Sequence, residues 1–211
     1  MRIQLNNDIY NVEVIKKRTT KNTYIRVKED LTIMITTNIW TSDSEIEKLI
    51  IKNQDSLVKM LNRELRRKEN DKYFYYLGKK YDIIYTNNEG INIGEERVFI
   101  NRNIDLNKWY KKESVTLFEA RIKYWHNKFT KSIPHPTLTI RKMKSRWGVC
   151  NTKDKRVTLN LELMKKPIEC LDYVIVHELS HLIHANHSNK FWTLVEENYP
   201  NFKEVRKTMK E

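Results

Sequence analysis

His177 and His181 stand four residues apart with Glu178 between them, a spacing that carries chemical meaning. On a helix advancing about 100° per residue, the two histidines lie about 40° apart on one face, one turn above the other. Both imidazoles can therefore reach one ion, and Glu178 projects beside them. Two neutral nitrogen ligands, an open position for water and a carboxylate placed to take its proton are what a zinc hydrolase needs.

A third ligand has to come from downstream, where the chain offers His184, His187, Glu196 and Glu197. His184 falls in the right sector of the helical wheel but about a turn too far along. His187 ligates if the helix ends near His184 and the chain folds back, a bend that Asn186 helps because asparagine tolerates the left-handed conformation that closes many helices. The resulting His-Glu-x-x-His-x-x-x-x-x-His spacing is that of the three-histidine zincins, with His184 where those enzymes usually carry glycine. His187 is the expected third ligand of one zinc ion, and Glu196 and Glu197 are its rivals.

The elements that must position these groups can be read around them. Leu171, Val174, Ile175 and Val176 make the helix before His177 apolar enough to bury, and Pro167 suits its first turn, where a missing N–H is harmless. Upstream, Trp109, Phe118, Ile122, Trp125 and Phe129 mark a long helix with Lys111, Lys112, Arg121, Lys123 and Lys128 on its other face, closed off by Pro134 and Pro136. Leu138 to Met143 and Arg156 to Leu161 read as two strands, with Arg146 to Cys150 in the loop between them.

The N-terminal half is β-rich. Ile9, Val12 and Val14, then Tyr24, Ile25 and Val27, then Leu31, Ile33 and Ile35 suggest about three antiparallel strands. Ser42 and Glu45 form a capping-box pattern that opens one long amphipathic helix over about 43–68, with Ile46, Leu49, Ile50, Leu57, Leu61 and Leu65 at helical spacing. Strands resume at 73–77, 79–85 and 98–100, with Gly78 as a turn; their tyrosines read as amphipathic sheet residues. The expected architecture is α+β: a β-rich module over residues 1–104, then a minimal zincin-like catalytic domain over 105–211 that carries the His-Glu-x-x-His helix.

Composition narrows the class. With 39% hydrophobic and 10% aromatic residues in 211, the chain can bury real cores and does not read as disordered. No stretch approaches the run of about 20 apolar residues that spans a membrane, and Cys150 and Cys170 are too few for a disulfide framework, so a reduced, cytoplasmic protein is expected. The formal charge of +13 is uneven: residues 101–168 hold 17 basic against 5 acidic side chains. That basic segment ahead of the metal helix makes nucleotides, nucleic acid or acidic polypeptides possible partners.

The string His177-Glu178-Leu179-Ser180-His181, followed by Asn186-His187-Ser188 and Phe191-Trp192, resembles the YgjP-like metallopeptidase family. Arg146-Trp147-Gly148-Val149-Cys150 and Leu159-Asn160 are similar to further signatures of that family, with Val149 where serine is usual, and Tyr76 to Tyr81 matches more loosely. The SprT and WLM metalloproteases share the helix and the distal histidine. The resemblance implies a metallopeptidase acting on polypeptide through zinc on His177, His181 and His187, with Glu178 as the base. It also puts the loop of Arg146 in the family's signature, which makes Arg146 the first candidate for stabilising an oxyanion; His184 is the second. Asn160 is placed to fix the metal helix or a ligand's second nitrogen, while Trp147, Phe191 and Trp192 read as packing around the site. YgjP-like proteins are also described as nucleotide pyrophosphatases acting on UTP, which keeps that activity as an alternative, and a nucleic-acid-associated metalloprotease is another. Against a phosphoanhydride substrate, the sequence has no Gly-rich phosphate loop or carboxylate cluster for magnesium.

Overall fold

The computed structural model describes residues 1–5 and 8–209. The chain divides into two compact units, Met1–Tyr73 and Phe74–Glu211.

In the first unit, strands β1 (Arg2–Leu5), β2 (Asp8–Lys17), β3 (Tyr24–Val27) and β4 (Ile33–Asn38) form one sheet in the order β1-β2-β4-β3. The sequence suggested about three antiparallel strands; there are four, and β2 pairs with β4 in parallel. Antiparallel pairing of β3 with β4 makes β4 an interior strand, and its period-two alternation buries Ile33, Ile35 and Thr37 on one face. The expected single helix is two: α1 (Asp43–Lys52) and α2 (Gln54–Asn70), broken at Asn53. The Asn53 side chain donates to the Leu49 carbonyl at 2.8 Å, a local bond that competes with the regular ladder. The capping box forms as the spacing predicts, with the Ser42 N–H donating to Glu45 and the Glu45 N–H to Ser42 Oγ. Ile46, Ile50, Leu57 and Leu61 then bury one helical stripe in the core with Ile33 and Ile35.

The second unit holds two sheets. Strands β5 (Tyr73–Tyr76), β6 (Lys79–Thr86), β7 (Ile91–Ile93) and β8 (Arg97–Asn101) run in the order β5-β6-β8-β7. Leu77 and Gly78, both at positive φ, make the tight turn between β5 and β6. A Cβ on Gly78 would sit 2.8 Å from Pro167 Cγ, so glycine there allows the turn to lie against the start of the metal-motif helix. Helix α3 (Leu106–Lys128) is capped by Asp105, which accepts from the Asn107 and Lys108 N–H groups. Tyr110, Ser114, Phe118 and Ile122 recur every four residues along its buried face.

The other sheet corrects the expected strand pair and loop. Strand β9 (Thr137–Arg141) pairs in parallel with β11 (Arg156–Asn160), and Gly148–Asn151, expected in the loop, forms a third strand, β10, antiparallel to β11. A 3-10 helix (Leu161–Lys165) leads to α4 (Ile168–Ser180), and α5 (Asn189–Asn198) and α6 (Phe202–Thr208) follow. Phe74, Tyr81, Val98 and Ile100 join Phe118, Leu159, Leu163, Leu171 and Ile175 in one core. No helix among the described residues is long and apolar enough to cross a membrane.

Helix α4 is buried along nearly its whole length, and it carries Asp172 into that core. Arg121 of α3 meets it with two charge-assisted hydrogen bonds, Nε to Oδ1 at 2.7 Å and a terminal nitrogen to Oδ2 at 2.5 Å. With 9% of the Asp172 side chain exposed, removing the arginine strands a buried charge. Arg121→Met is expected to destabilise the protein by about 3 kcal/mol, the lower end for a broken buried pair because Arg121 is itself partly exposed. Arg121→Met combined with Asp172→Leu should recover most of that loss. Urea unfolding midpoints of the two variants check both expectations.

Candidate metal centre and its carboxylate

Helix α4 ends at Ser180 with His181 as its C-cap, earlier than the sequence suggested. Asn186 does not provide the bend: among the described non-glycine residues only Leu31, Leu77 and Lys155 have positive φ. Tight turns close the helix instead, with the Leu182 N–H donating to Leu179, Ile183 to Ser180 and His184 to Ser180. The chain then reverses and α5 begins at Asn189, which brings His187 back over the end of α4.

His177, His181 and His187 converge, with one ring nitrogen from each within 4.8 Å of the others. The Nε2 atoms of His177 and His187 are 3.1 Å apart. Tetrahedral donors about 2.0–2.1 Å from one zinc ion stand about 3.3 Å apart, so the pair fits a shared ion. His181 Nδ1 lies 3.0 Å from the His184 carbonyl; donating there keeps Nε2 free as a donor atom toward the cluster. Among the described residues His177 Nδ1 is buried with no hydrogen-bond partner, and the ring packs against those of Tyr173, Phe191 and Trp192. Glu196 is drawn away to Lys203 at 2.9 Å, and neither it nor Glu197 belongs to the cluster.

Phe191 does more than close the site. Fully buried on α5, it stacks on His181 at 4.5 Å and meets His177 and His187 edge-on at 4.9 and 4.8 Å. One ring therefore fixes the rotation of all three imidazoles. Trp192 stacks on His187, and the Arg206 guanidinium lies 4.7 Å from the centre of the Trp192 ring.

Glu178 is 5% exposed. Its carboxylate lies against Gly148 so closely that a Cβ there would be 2.6 Å from Oε1. Glycine is needed at the start of β10 because the carboxylate occupies the space of a side chain. Arg146, two residues earlier, adds a positive field, and the Cys150 N–H hydrogen-bonds the carboxylate. Burial outweighs both and pushes the carboxyl pKa up to about 8. His177 moves the other way, down to about 3, through burial and then the neighbouring imidazoles and Arg206. Burial likewise lowers His181. Both are thus neutral at physiological pH, the form in which imidazole binds a cation.

The remaining candidates occupy different positions. Among the described residues, the Asn160 side chain hydrogen-bonds neither to the metal-motif helix nor to a histidine ring. Its Nδ2 donates to the carbonyls of Met143 at 2.9 Å and Arg146 at 2.7 Å, and its Oδ1 accepts from the Met143 and Glu162 N–H groups. Asn160 is thus a clamp on the loop that carries Arg146. The His184 side chain lines a cavity of about 270 Å³ with Lys131, Asn189, Lys190 and Thr193, while its carbonyl serves His181. Sequence reasoning missed the packing of Gly148 on Glu178. The only signal was an isolated glycine between two strand patterns, a sign of close backbone approach.

The two opposite shifts make metal-free stability depend on pH in a defined way. The folded-state pKa of Glu178 is raised from its ordinary value near 4.5 to about 8, so its contribution is lost as pH rises through that interval. The folded-state pKa of His177 is lowered from 6.5 to about 3, so its contribution is lost as pH falls below 6.5. Between pH 6.5 and 8 the carboxylate effect acts alone of the two. In EDTA, the melting temperature of Glu178→Gln should gain on the wild type as pH rises from 6.5 to 8; parallel curves would refute the buried carboxylate.

No curated protein matches the chain. Among solved structures, it is similar to the crystal structure of the metallopeptidase zymogen of Pyrococcus abyssi abylysin, at 24% identity and a TM-score of 0.40, covering 44% of this chain and 90% of that one. The family described as YgjP-like, metallopeptidase domain, matches residues 21–211. That span holds the three imidazoles and Glu178, and the chain belongs to the YgjP-like metallopeptidase family.

Proposed function

We propose that this protein is a zinc peptidase in which His177, His181 and His187 hold one ion and Glu178 carries the proton. The observation behind the reading is the convergence of three imidazoles next to a buried carboxylate in a chain of a metallopeptidase family. Three nitrogen donors without a thiolate suit zinc and leave room for water or substrate. Such an ion, when bound, supplies Lewis acidity, making water acidic near neutral pH and polarising a carbonyl.

The chain's own groups do the rest. Glu178, shielded from solvent, takes a proton from the attacking water and returns it to the leaving amine. Arg146, whose charge already acts on the Glu178 carboxylate, faces the negative charge that develops on the carbonyl oxygen. Asn160 is a positioning residue that holds the Arg146 loop, and the His184 carbonyl orients His181. Residues 105–211 form the catalytic portion in this reading, since every group named lies there; of the β-rich stretch before it, the part from Phe74 onward belongs to the same compact unit. The two free thiols, Cys150 and Cys170, support a reducing compartment such as the cytoplasm.

The test compares wild type with Glu178→Gln for bound zinc and for cleavage of casein and of UTP. The variant should keep its metal and lose casein cleavage by about 10²- to 10⁴-fold, the usual worth of a positioned acid–base group. UTP hydrolysis lost in the variant, with casein untouched in both, would instead assign the site to a pyrophosphatase. Gly148→Ala should also keep the metal but lower the turnover number, because the added methyl displaces Glu178 rather than a ligand. Unchanged turnover in that variant would show that the contact with Gly148 does not set the carboxylate's position.

A further inference from the structure

Away from the imidazoles, a groove of about 430 Å³ runs between the first turns of α3 and the end of β9. Lys108 and Lys111 line it from α3, Arg141 and Lys142 from the end of β9, over a floor of Ile140 and Leu161. Lys142 is paired with Glu162 at 3.3 Å. Among the described residues, no ion pair engages Lys108, Lys111 or Arg141. Lys108 and Lys111 lie one helical turn apart, where like charges repel. Three uncompensated cations around an apolar floor form a site that an anionic ligand with aliphatic neighbours would satisfy.

The groove is continuous in the chain with the candidate active site. From Arg141 the backbone passes Lys142, Lys144 and Arg146 to Gly148, against which Glu178 packs. Asn160 clamps that loop at Met143 and Arg146, so the backbone leading from Arg141 toward Gly148 is held in place. Arg141 and Gly148 are seven positions apart in the chain, at most about 25 Å. An extended substrate covers that distance with about seven residues.

We propose that this groove recognises acidic polypeptide, binding Asp or Glu side chains that lie within about seven residues of the scissile bond. The assignment rests on the peptidase reading. Single-stranded nucleic acid fits less well, because its sites add exposed aromatic stacking surfaces to the cations. Here the floor is aliphatic, and the nearest α3 aromatics, Trp109 and Tyr110, are packed against Phe74 and, for Trp109, Tyr76.

The test uses the full chain carrying Glu178→Gln, so that binding is read without turnover. Fluorescence anisotropy compares two labelled 12-residue peptides that differ only in having four Glu or four Gln on one side. The Glu peptide should bind several-fold tighter, as about three exposed charge pairs allow, and salt should erode the difference. Reversing Lys108, Lys111 and Arg141 to Glu together should abolish the preference, whereas reversing Lys59, Arg63 and Lys68 on α2 should leave it. Equal affinity for the two peptides, or a preference that survives the groove reversal, overturns the proposal. An oligonucleotide that displaces the Glu peptide and itself depends on the three groove cations would assign the groove to nucleic acid and overturn it equally. The peptidase reading is judged separately, by whether wild type cleaves the Gln peptide in a Glu178-dependent way.

Discussion

Burying α4 is the constraint on which the second unit depends. Ten of its thirteen residues are buried, so neither its rotation nor its height can change without breaking packing against α3, α5, α6 and strands β10 and β11. Such burial would be ordinary for an apolar helix, but this one also takes Asp172, Glu178 and Ser180 out of water. Each needs its own compensation. Arg121 answers Asp172 in the fork geometry that only arginine provides. Ser180 donates back to the Val176 carbonyl at 2.8 Å. Among the described residues, Glu178 is compensated by a backbone N–H and the field of Arg146, which leaves it with a proton affinity unlike that of a surface carboxylate. The most weakly compensated of the three is the one the proposed mechanism makes the proton carrier, a pattern common where function and stability compete.

The same burial explains why the histidines are held so firmly. His177 is on the helix, His181 at its end and His187 on the far side of a reversal, so they share no single element. Phe191 unites them by touching all three rings, and it can do so because α5 packs on α4 through a face that includes Phe191, Leu194 and Val195. An aromatic ring imposes orientation without competing for the ring nitrogens. The polar fixing bond is reserved for His181, through the His184 carbonyl.

Beside this centre, β10 and the loop before it bring the backbone to Glu178. The sheet order β10-β11-β9 sets the approach, since β11 fixes β10 in register on one side and β9 on the other. Asn160, the last residue of β11, ties down the loop that joins them and caps the following 3-10 helix with the same side chain. A single buried amide thus couples the position of Arg146 to the start of the segment that leads into α4.

The sequence by itself determined which residues were candidates for chemistry and much of the local structure. The shared face of His177 and His181 was legible because helical periodicity is a short-range rule, and His187 could join them only where the helix ended. The Ser42 cap, the long helix α3 and the turn at Gly78 were legible for the same local reason. Only the tertiary structure decided what depends on partners far apart in the chain: the parallel pairing of β2 with β4, the promotion of Gly148–Asn151 from loop to edge strand, and the convergence of His187, rather than Glu196, on the other two imidazoles. It also decided that Asn160 clamps a loop rather than a ligand, and that the bend after His181 needs no left-handed residue at Asn186. Periodicity tells which face of an element is apolar, whereas register, pairing and burial are settled by the surfaces that element meets.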